Sequence, residues 1–441
     1  VTCTEIGTDR RPVSTPTATL EVIDLNANDR SITGFVMAAH GLVHTYELSI
    51  PILMTIWLLE FSVTAAVLGA VVTVGYGLFG VGALPGGILV DRYGSRRLIV
   101  SCLAGMGLSF LLLSVSPTVV TIALALGVWG IAASVYHPAG LALISNGVQD
   151  DVRGTAFAYH GMAGNAGIAF GPLATALLLL VVDWRLVAVA LAIPALVAAV
   201  VGVLASFDET AALEAEAATQ DEPIRSLTAF LGGSRRVFTV GFTIVFVLVM
   251  FNGLYYRGIL TFLPEMLDEF LTTHLGAIEL GFFGPDSPVA DEFDLAQYVY
   301  VGLLTVGIGG QYLGGKLTDR LPPERGVVAC LSALVVIALV YTPAAEAGLA
   351  PLGAISVALG FVLFALQPLT QATIAKYSPP DSRGLSFGYT YLGIFGVGSL
   401  GATIVGGALT YGTTVTVFLI LAGFATIACT LAIVLVARDG F

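Results

Sequence analysis

Long apolar runs, broken by short joints of charge, glycine or proline, follow one another from residue 33 to residue 437. A helix of about 20 apolar residues is long enough to cross a bilayer. Twelve such spans are predicted, at 33–57, 63–90, 97–115, 119–146, 155–182, 185–206, 237–263, 296–318, 326–342, 351–376, 384–411 and 414–437. Strands of a transmembrane barrel alternate apolar and polar residues. The run from Ala174 to Val182 does not alternate, so the pattern predicts an all-α integral membrane protein.

The pattern also repeats. At an offset of 228, Gly82, Gly86, Gly87, Leu89, Asp91, Arg92 and Cys102 match Gly310, Gly314, Gly315, Leu317, Asp319, Arg320 and Cys330. At an offset of 230, Pro138, Arg153, Gly154, Phe157, Tyr159 and Gly171 match Pro368, Arg383, Gly384, Phe387, Tyr389 and Gly401. Spans 2–5 therefore correspond to spans 8–11, as internal duplication requires. The expected organisation is a polar tail (1–32), a six-helix bundle (33–206), a charged linker (207–236) with a short surface helix at Glu214–Ala218, and a second six-helix bundle (237–437). A long outer loop is expected at 265–295, with Phe270, Leu271, Phe282 and Phe283 on the membrane surface or over the mouth, and a short terminus at 438–441.

Composition sharpens this picture. Only 11% of residues are charged, against about 25% in soluble domains. With the amino terminus inside, 16 of the 18 Lys and Arg fall on the cytoplasmic side, leaving Arg185 and Arg257. That bias predicts a plasma-membrane protein with both termini cytoplasmic. The polar start has no signal-peptide pattern. The net charge is −12, and the two lysines are Lys316 and Lys376. A carboxylate-rich, lysine-poor surface suits high salt, which screens like charges. The cysteines Cys3, Cys102, Cys330 and Cys429 lack metal-ligand spacing and are read as small hydrophobes. No phosphate-binding loop is present, which argues against ATP drive, and no nucleophile or metal constellation supports an enzyme. No cofactor and no nucleic-acid partner are expected; the expected partners are a small-molecule substrate, protons and lipid, and the expected state is a monomer.

The joint Gly87-Ile-Leu-Val-Asp91-Arg92-Tyr-Gly94-Ser-Arg96-Arg97, with its degenerate copy at Gly315–Arg320, resembles the motif between spans 2 and 3 of the major facilitator superfamily. The resemblance covers about residues 33–437. It implies two six-helix bundles about a pseudo-two-fold axis along the membrane normal, with a midplane cavity. It also implies a cytoplasmic gate: Asp91 against the start of span 11 at Arg383, and Asp319 against the start of span 5 at Arg153. Gly87, Arg92, Gly94, Arg96, Arg97 and Arg320 would complete it. Such cross-bundle contacts would favour the outward-open state. Gly167-Ile-Ala-Phe-Gly171-Pro172 resembles part of the span-5 motif of antiporter branches. Gly164, Gly167 and Gly171 also share one helical stripe, which suits close packing in lipid.

Ionisable groups inside a membrane are costly and usually line a pathway. Glu47 lies about fifteen residues into span 1, and positions 40, 44 and 47 fall within roughly 60° on one face. His40, His44 and Glu47, with His137 and His160 in spans 4 and 5, are candidates for proton coupling. The aligned second-half positions, Gln367 and Thr390, are merely polar. Two imidazoles on one metal ion are a second reading of His40 and His44, but no cysteine or carboxylate cluster strengthens it, so no metal site is expected. Tyr136, Tyr159, Tyr255, Tyr256, Gln367, Gln371 and Tyr389 are cavity candidates. Arg257, placed near the outer end of span 7, is read either as attracting an anionic substrate or as snorkelling to the surface. His137-Pro138-Ala139, with the span-1 histidines, resembles the fosmidomycin-resistance-like branch of drug exporters. The expected function is a secondary transporter working by alternating access, exporting a small organic compound against protons. Proton-symport uptake of an organic anion is the alternative, and a transport-inactive membrane sensor on the same fold a third reading.

Overall fold

The computed structural model describes residues 25–213, 227–275, 294–379 and 383–439, and every element among them is helical. In chain order they are α1 (Ala27–Glu60), α2 (Ala65–Tyr93), α3 (Ser95–Ser114), α4 (Val119–Ser134), α5 (Tyr136–Gly147), α6 (Asp150–Leu179), α7 (Trp184–Leu204) and α8 (Leu227–Val237). The second half follows with α9 (Val240–Leu275), α10 (Leu295–Thr318), α11 (Pro323–Glu346), α12 (Leu349–Tyr377), α13 (Arg383–Tyr391), α14 (Leu400–Tyr411) and α15 (Thr414–Asp439). A π-helical segment, Leu392–Val397, joins α13 to α14. Span 4 is α4 plus α5, and span 11 is α13, the π segment and α14. Eleven described spans are long and apolar enough to cross a membrane. The remaining predicted span is α10, a 24-residue helix made less apolar by Gln297, Gln311 and its glycines.

Several boundaries differ from the sequence expectation. Helix α1 begins at Ala27, inside the expected tail, because Asn26 caps it by accepting from the Asp29 amide at 2.9 Å. Helix α9 runs on to Leu275, well into the expected outer loop. Its Met266, Leu267, Phe270 and Leu271 are buried, with the Phe270 ring 6.3 Å from that of Tyr341, so Phe270 and Leu271 lie neither on the membrane surface nor over the mouth. Phe282 and Phe283, and the expected helix at Glu214–Ala218, lie outside the described residues. The start of the linker is fastened to the first bundle. Asn28 donates to the Gly147 and Asp208 carbonyls, at 3.0 and 3.2 Å, and accepts from the Asp208 amide at 2.8 Å.

The sequence repeat has a physical meaning. In lipid, helices associate through close van der Waals fit, so small residues mark the contacts. A Cβ added to Gly86 would stand 2.7 Å from the Pro138 ring; one added to Gly314 would stand 2.9 Å from the Pro368 ring. These four residues are matched in the two repeats, so the repeat encodes one helix crossing twice: α2 on α5, and α10 on α12.

Candidate functional site

Pro51 and Pro264 sit inside α1 and α9, the first helix of each bundle. A helical proline has no N–H for the carbonyl four residues earlier, which leaves that carbonyl without its helical partner. The freed groups are the Glu47 and Leu260 carbonyls. Each is satisfied from a neighbouring helix: Tyr76 donates to Glu47 O and Tyr300 to Leu260 O, both at 3.1 Å. The two tyrosines thus brace α1 and α9 at matching places. They were not among the sequence candidates, although a proline four residues beyond the carboxylate was a legible signal.

Braced in this way, α1 presents Glu47 to α9. Arg257 of α9 is 2% exposed and Glu47 1%, and they form a buried ion pair between Arg257 Nη2 and Glu47 Oε1. The guanidinium also stacks over the Tyr76 ring, 3.8 Å from its centroid, and lies 5.7 Å from that of Tyr256. Both expectations for Arg257 are therefore corrected. It sits in the middle of a 36-residue helix, too deep to snorkel, and its charge is matched by Glu47 across the bundle interface.

The other Glu47 oxygen, Oε2, accepts from His44 Nδ1 at 2.8 Å. His44 Nε2 meets His40 Nε2 at 3.1 Å, and His40 Nδ1 donates to the His160 carbonyl at 2.7 Å. The His160 ring stacks on that of His40, centroids 3.8 Å apart. His137 closes the group from α5, 5.5 Å from the His40 ring and 5.8 Å from that of His44. The five candidate proton-coupling residues thus form one connected cluster reaching from the ion pair to a cavity of about 440 Å³. That cavity is lined from both bundles, by His40, His44, Glu47, His137, His160 and Asn165 on one side and Asn252, Tyr256, Gln311, Gln367, Gln371 and Tyr391 on the other. Gln311 donates to Gln367 at 3.4 Å. Asn165, Asn252, Gln311 and Tyr391 were missed, though polar residues inside apolar spans are themselves a signal.

The cavity candidates divide. Tyr256, Gln367 and Gln371 line it. Tyr136 is buried behind His40, its ring 5.4 Å away and its hydroxyl donating to the Val36 carbonyl at 2.6 Å. Tyr255 is buried without lining it, Tyr159 is 39% exposed, and Tyr389 donates to Ser234 of α8 at 2.7 Å. These four are corrections: helical phase turns their rings away from the cavity. The span-5 glycines seat α6 against α1. A Cβ on Gly164 would strike the His40 ring and one on Gly167 the Gly41 backbone, while Gly171 meets Thr45. Pro172 is buried in the same helix.

Among the described residues of the charged joint and its expected partners, Arg96 and Arg153 make contacts within their own bundle. Gly94 has φ +81°, a conformation that favours glycine, and turns the chain from α2 into α3. Arg96 donates to the Gly202 and Val203 carbonyls at 2.8 and 2.5 Å, tying down the end of α7 in its own bundle. Gly87, Arg92 and Arg97 are exposed. Arg153 pairs with Asp150 one turn away on α6, while Asp319 and Arg320 are exposed, so the Arg153–Asp319 contact expected of a closed cytoplasmic side is not made in this conformation. The side chains of Asp91 and Arg383 lie outside the described residues. Besides the Glu47–Arg257 pair, cross-bundle hydrogen bonds among the described residues lie toward the Glu60 end of α1: Ala66 N to Thr410 at 2.8 Å, Thr73 with Thr403 at 2.8 Å, and Gln297 to Thr55 at 3.4 Å.

The family model of the Major Facilitator Superfamily matches residues 31–393 and again 246–440. The chain belongs to the major facilitator superfamily. Solved transporters share the fold. A bacterial homolog of the human lysosomal transporter Spinster, in an inward-facing and occupied conformation, superposes with a TM-score of 0.68, at 14% identity over 92% of this chain and 96% of that one. The nucleoside transporter NupG gives a TM-score of 0.70, also at 14% identity, over 92% and 99%. Among curated relatives, the puromycin resistance protein pur8 of Streptomyces alboniger is 38% identical over 108 residues, 24% of this chain and 22% of that protein. A Na(+), Li(+), K(+)/H(+) antiporter of Planococcus maritimus is 31% identical over 147 residues, 32% and 33%. The matched segments thus span a third or less of these two relatives. As a superfamily member with these spans, the chain is a multi-pass membrane protein of a transporter family.

Proposed function

We propose that this transporter exports a small organic compound in exchange for protons by alternating access. The observation that carries the reading is the buried Glu47–Arg257 pair, which joins the two bundles and continues through His44 and His40 into the shared cavity. A proton on Glu47 would cancel the charge that holds Arg257 and so unlatch α1 from α9. The imidazoles offer a route for that proton to and from the cavity. With the amino terminus inside, the Glu60 end faces out, and the cross-bundle hydrogen bonds at that end belong to an outward-closed state. Glu47 ionised and paired then corresponds to the state that has given up its proton inward and receives substrate. The pairing of Arg257 removes the free cation on which the organic-anion symport reading depended. The names of the two curated relatives, a resistance protein and a proton-linked antiporter, support export and exchange.

The test is transport in proteoliposomes under an imposed pH gradient, with puromycin as the first compound because of the relative's name. Wild-type protein should move it against the proton flow, and Glu47→Gln should lose the gradient dependence while keeping its folded elution profile. Undiminished gradient-driven transport by Glu47→Gln would remove Glu47 from the coupling role, and uptake with the protons would reverse the direction.

A further inference from the structure

We propose that the cavity holds a divalent first-row transition-metal ion on His40, His44 and His137. The argument begins with where the imidazole protons must be. A carbonyl oxygen only accepts, so His40 Nδ1, 2.7 Å from the His160 carbonyl, carries a proton. An ion-paired carboxylate also only accepts, so His44 Nδ1, 2.8 Å from Glu47 Oε2, carries one too. In both neutral rings this leaves Nε2 as a bare lone pair. Yet the two Nε2 atoms face each other at 3.1 Å. Two lone pairs at that distance repel, and the arrangement calls for a cation between or beside them.

The geometry matches a shared metal. At a metal–nitrogen distance of about 2.05 Å, two ligands of a tetrahedral site stand about 3.3 Å apart. The ligand atoms of His40, His44 and His137 all lie within 4.8 Å of one another, so His137 is the neighbour placed to move in as a third donor when an ion binds. The outer partners are those that metal-bound histidines use: a backbone carbonyl on one ring and a carboxylate on the next, each fixing Nε2 as the ligand. Imidazole donors of this kind favour Zn²⁺, Co²⁺, Ni²⁺ or Cu²⁺ over Mg²⁺ and Ca²⁺, which prefer oxygen.

Two further features bear on the site. Glu47 and Arg257 already cancel each other, so a divalent ion here needs an anionic fourth ligand. The 440 Å³ cavity beside the histidines leaves room for one, hydroxide in the simplest case. His160 lines the same cavity with its Nε2 buried and without a hydrogen-bond partner, a donor or acceptor for that fourth ligand. At the Glu60 end, a vestibule of about 1090 Å³ carries Glu60, Asp183, Glu265, Asp268 and Asp294. A mouth lined by carboxylates raises the local concentration of cations. From the sequence, His40 and His44 had no cysteine or carboxylate cluster to strengthen a metal reading; the fold adds a third histidine, His137, from α5. This inference does not need protons to drive transport: with the ion bound, the Nε2 lone pairs of His40 and His44 are occupied and the imidazole route proposed above is closed.

The experiment uses the full chain, purified in detergent and stripped by a chelator, titrated with Co²⁺ and then with Zn²⁺. Wild-type protein should bind one equivalent of Co²⁺ with the intense visible bands of a four-coordinate site, and Zn²⁺ should displace it. His44→Gln and His137→Gln should each weaken binding at least 10-fold and change the spectrum, and Glu47→Gln, acting through His44, should weaken it about 10–100-fold. Melting curves of the metal-free variants keep loss of fold separate from loss of a ligand. Absence of stoichiometric binding by folded wild-type protein would overturn the proposal and leave a shared proton as the cation between the two rings. Wild-type affinity and spectrum in the His137→Gln variant would overturn the three-histidine site.

Discussion

Removing one member of the Glu47–Arg257 pair tests whether it latches the two bundles. Both side chains are almost wholly buried, and among the described residues Arg257 forms its ion pair with Glu47. Breaking a buried pair from one side leaves an uncompensated charge and costs about 3–5 kcal/mol, far above the roughly 0–1 kcal/mol of an exposed pair. Spread over the unfolding entropy of a chain this long, about 4 kcal/mol lowers the melting temperature by about 4 °C. Glu47→Gln and Arg257→Gln should each show a fall of that order, read by intrinsic fluorescence at one scan rate in one detergent. The double variant Glu47→Gln/Arg257→Gln should recover most of it, because two neutral amides can hydrogen-bond and leave no buried charge. The two single losses should therefore be strongly non-additive. Single variants within about 1 °C of wild type, or a double variant showing the sum of both losses, would refute the reasoning.

Three other outcomes can be read from melting curves. Gly167→Ala should destabilise by about 1–3 kcal/mol, because its Cβ meets the Gly41 backbone, which cannot yield; Gly161→Ala on the same helix, with open space around it, should stabilise by up to about 1 kcal/mol. Melting the two variants side by side separates close packing from simple helix propensity. Tyr76→Phe keeps the ring over Arg257 but removes the donor to the Glu47 carbonyl, so its melting should report a loss of about 1 kcal/mol. If the net charge of −12 reflects a saline habitat, thermal stability should rise with salt beyond physiological concentration, and a flat profile would remove that reading.

Much of the architecture was legible in the chain because membrane helices announce themselves. A bilayer accepts only segments that satisfy their own backbone, so span number and class follow from apolar run length. Repetition was legible for a related reason. Gly86 with Pro138, and Gly314 with Pro368, are the same crossing built twice, and a crossing that tight admits few other residues. The titratable residues could be picked out because any such group in an apolar run is conspicuous. Tyr159, Tyr255 and Tyr389 could not be sorted from Tyr256 in the same way. Which tyrosine faces the cavity depends on the rotation of its helix against neighbours distant in sequence.

Local composition and spacing were thus enough to establish the solvent, the duplication and the short roster of groups able to do chemistry. Which of those groups meet was set by the packing of whole helices. Arg257, which by position alone suggested an anion site, is matched by a carboxylate 210 residues away, and Arg153 pairs within its own helix instead of across the interface. His137 joins His40 and His44 from another helix. Those pairings depend on how whole helices cross, and a charge or a lone pair takes its role from whatever partner the crossing brings within a few ångströms.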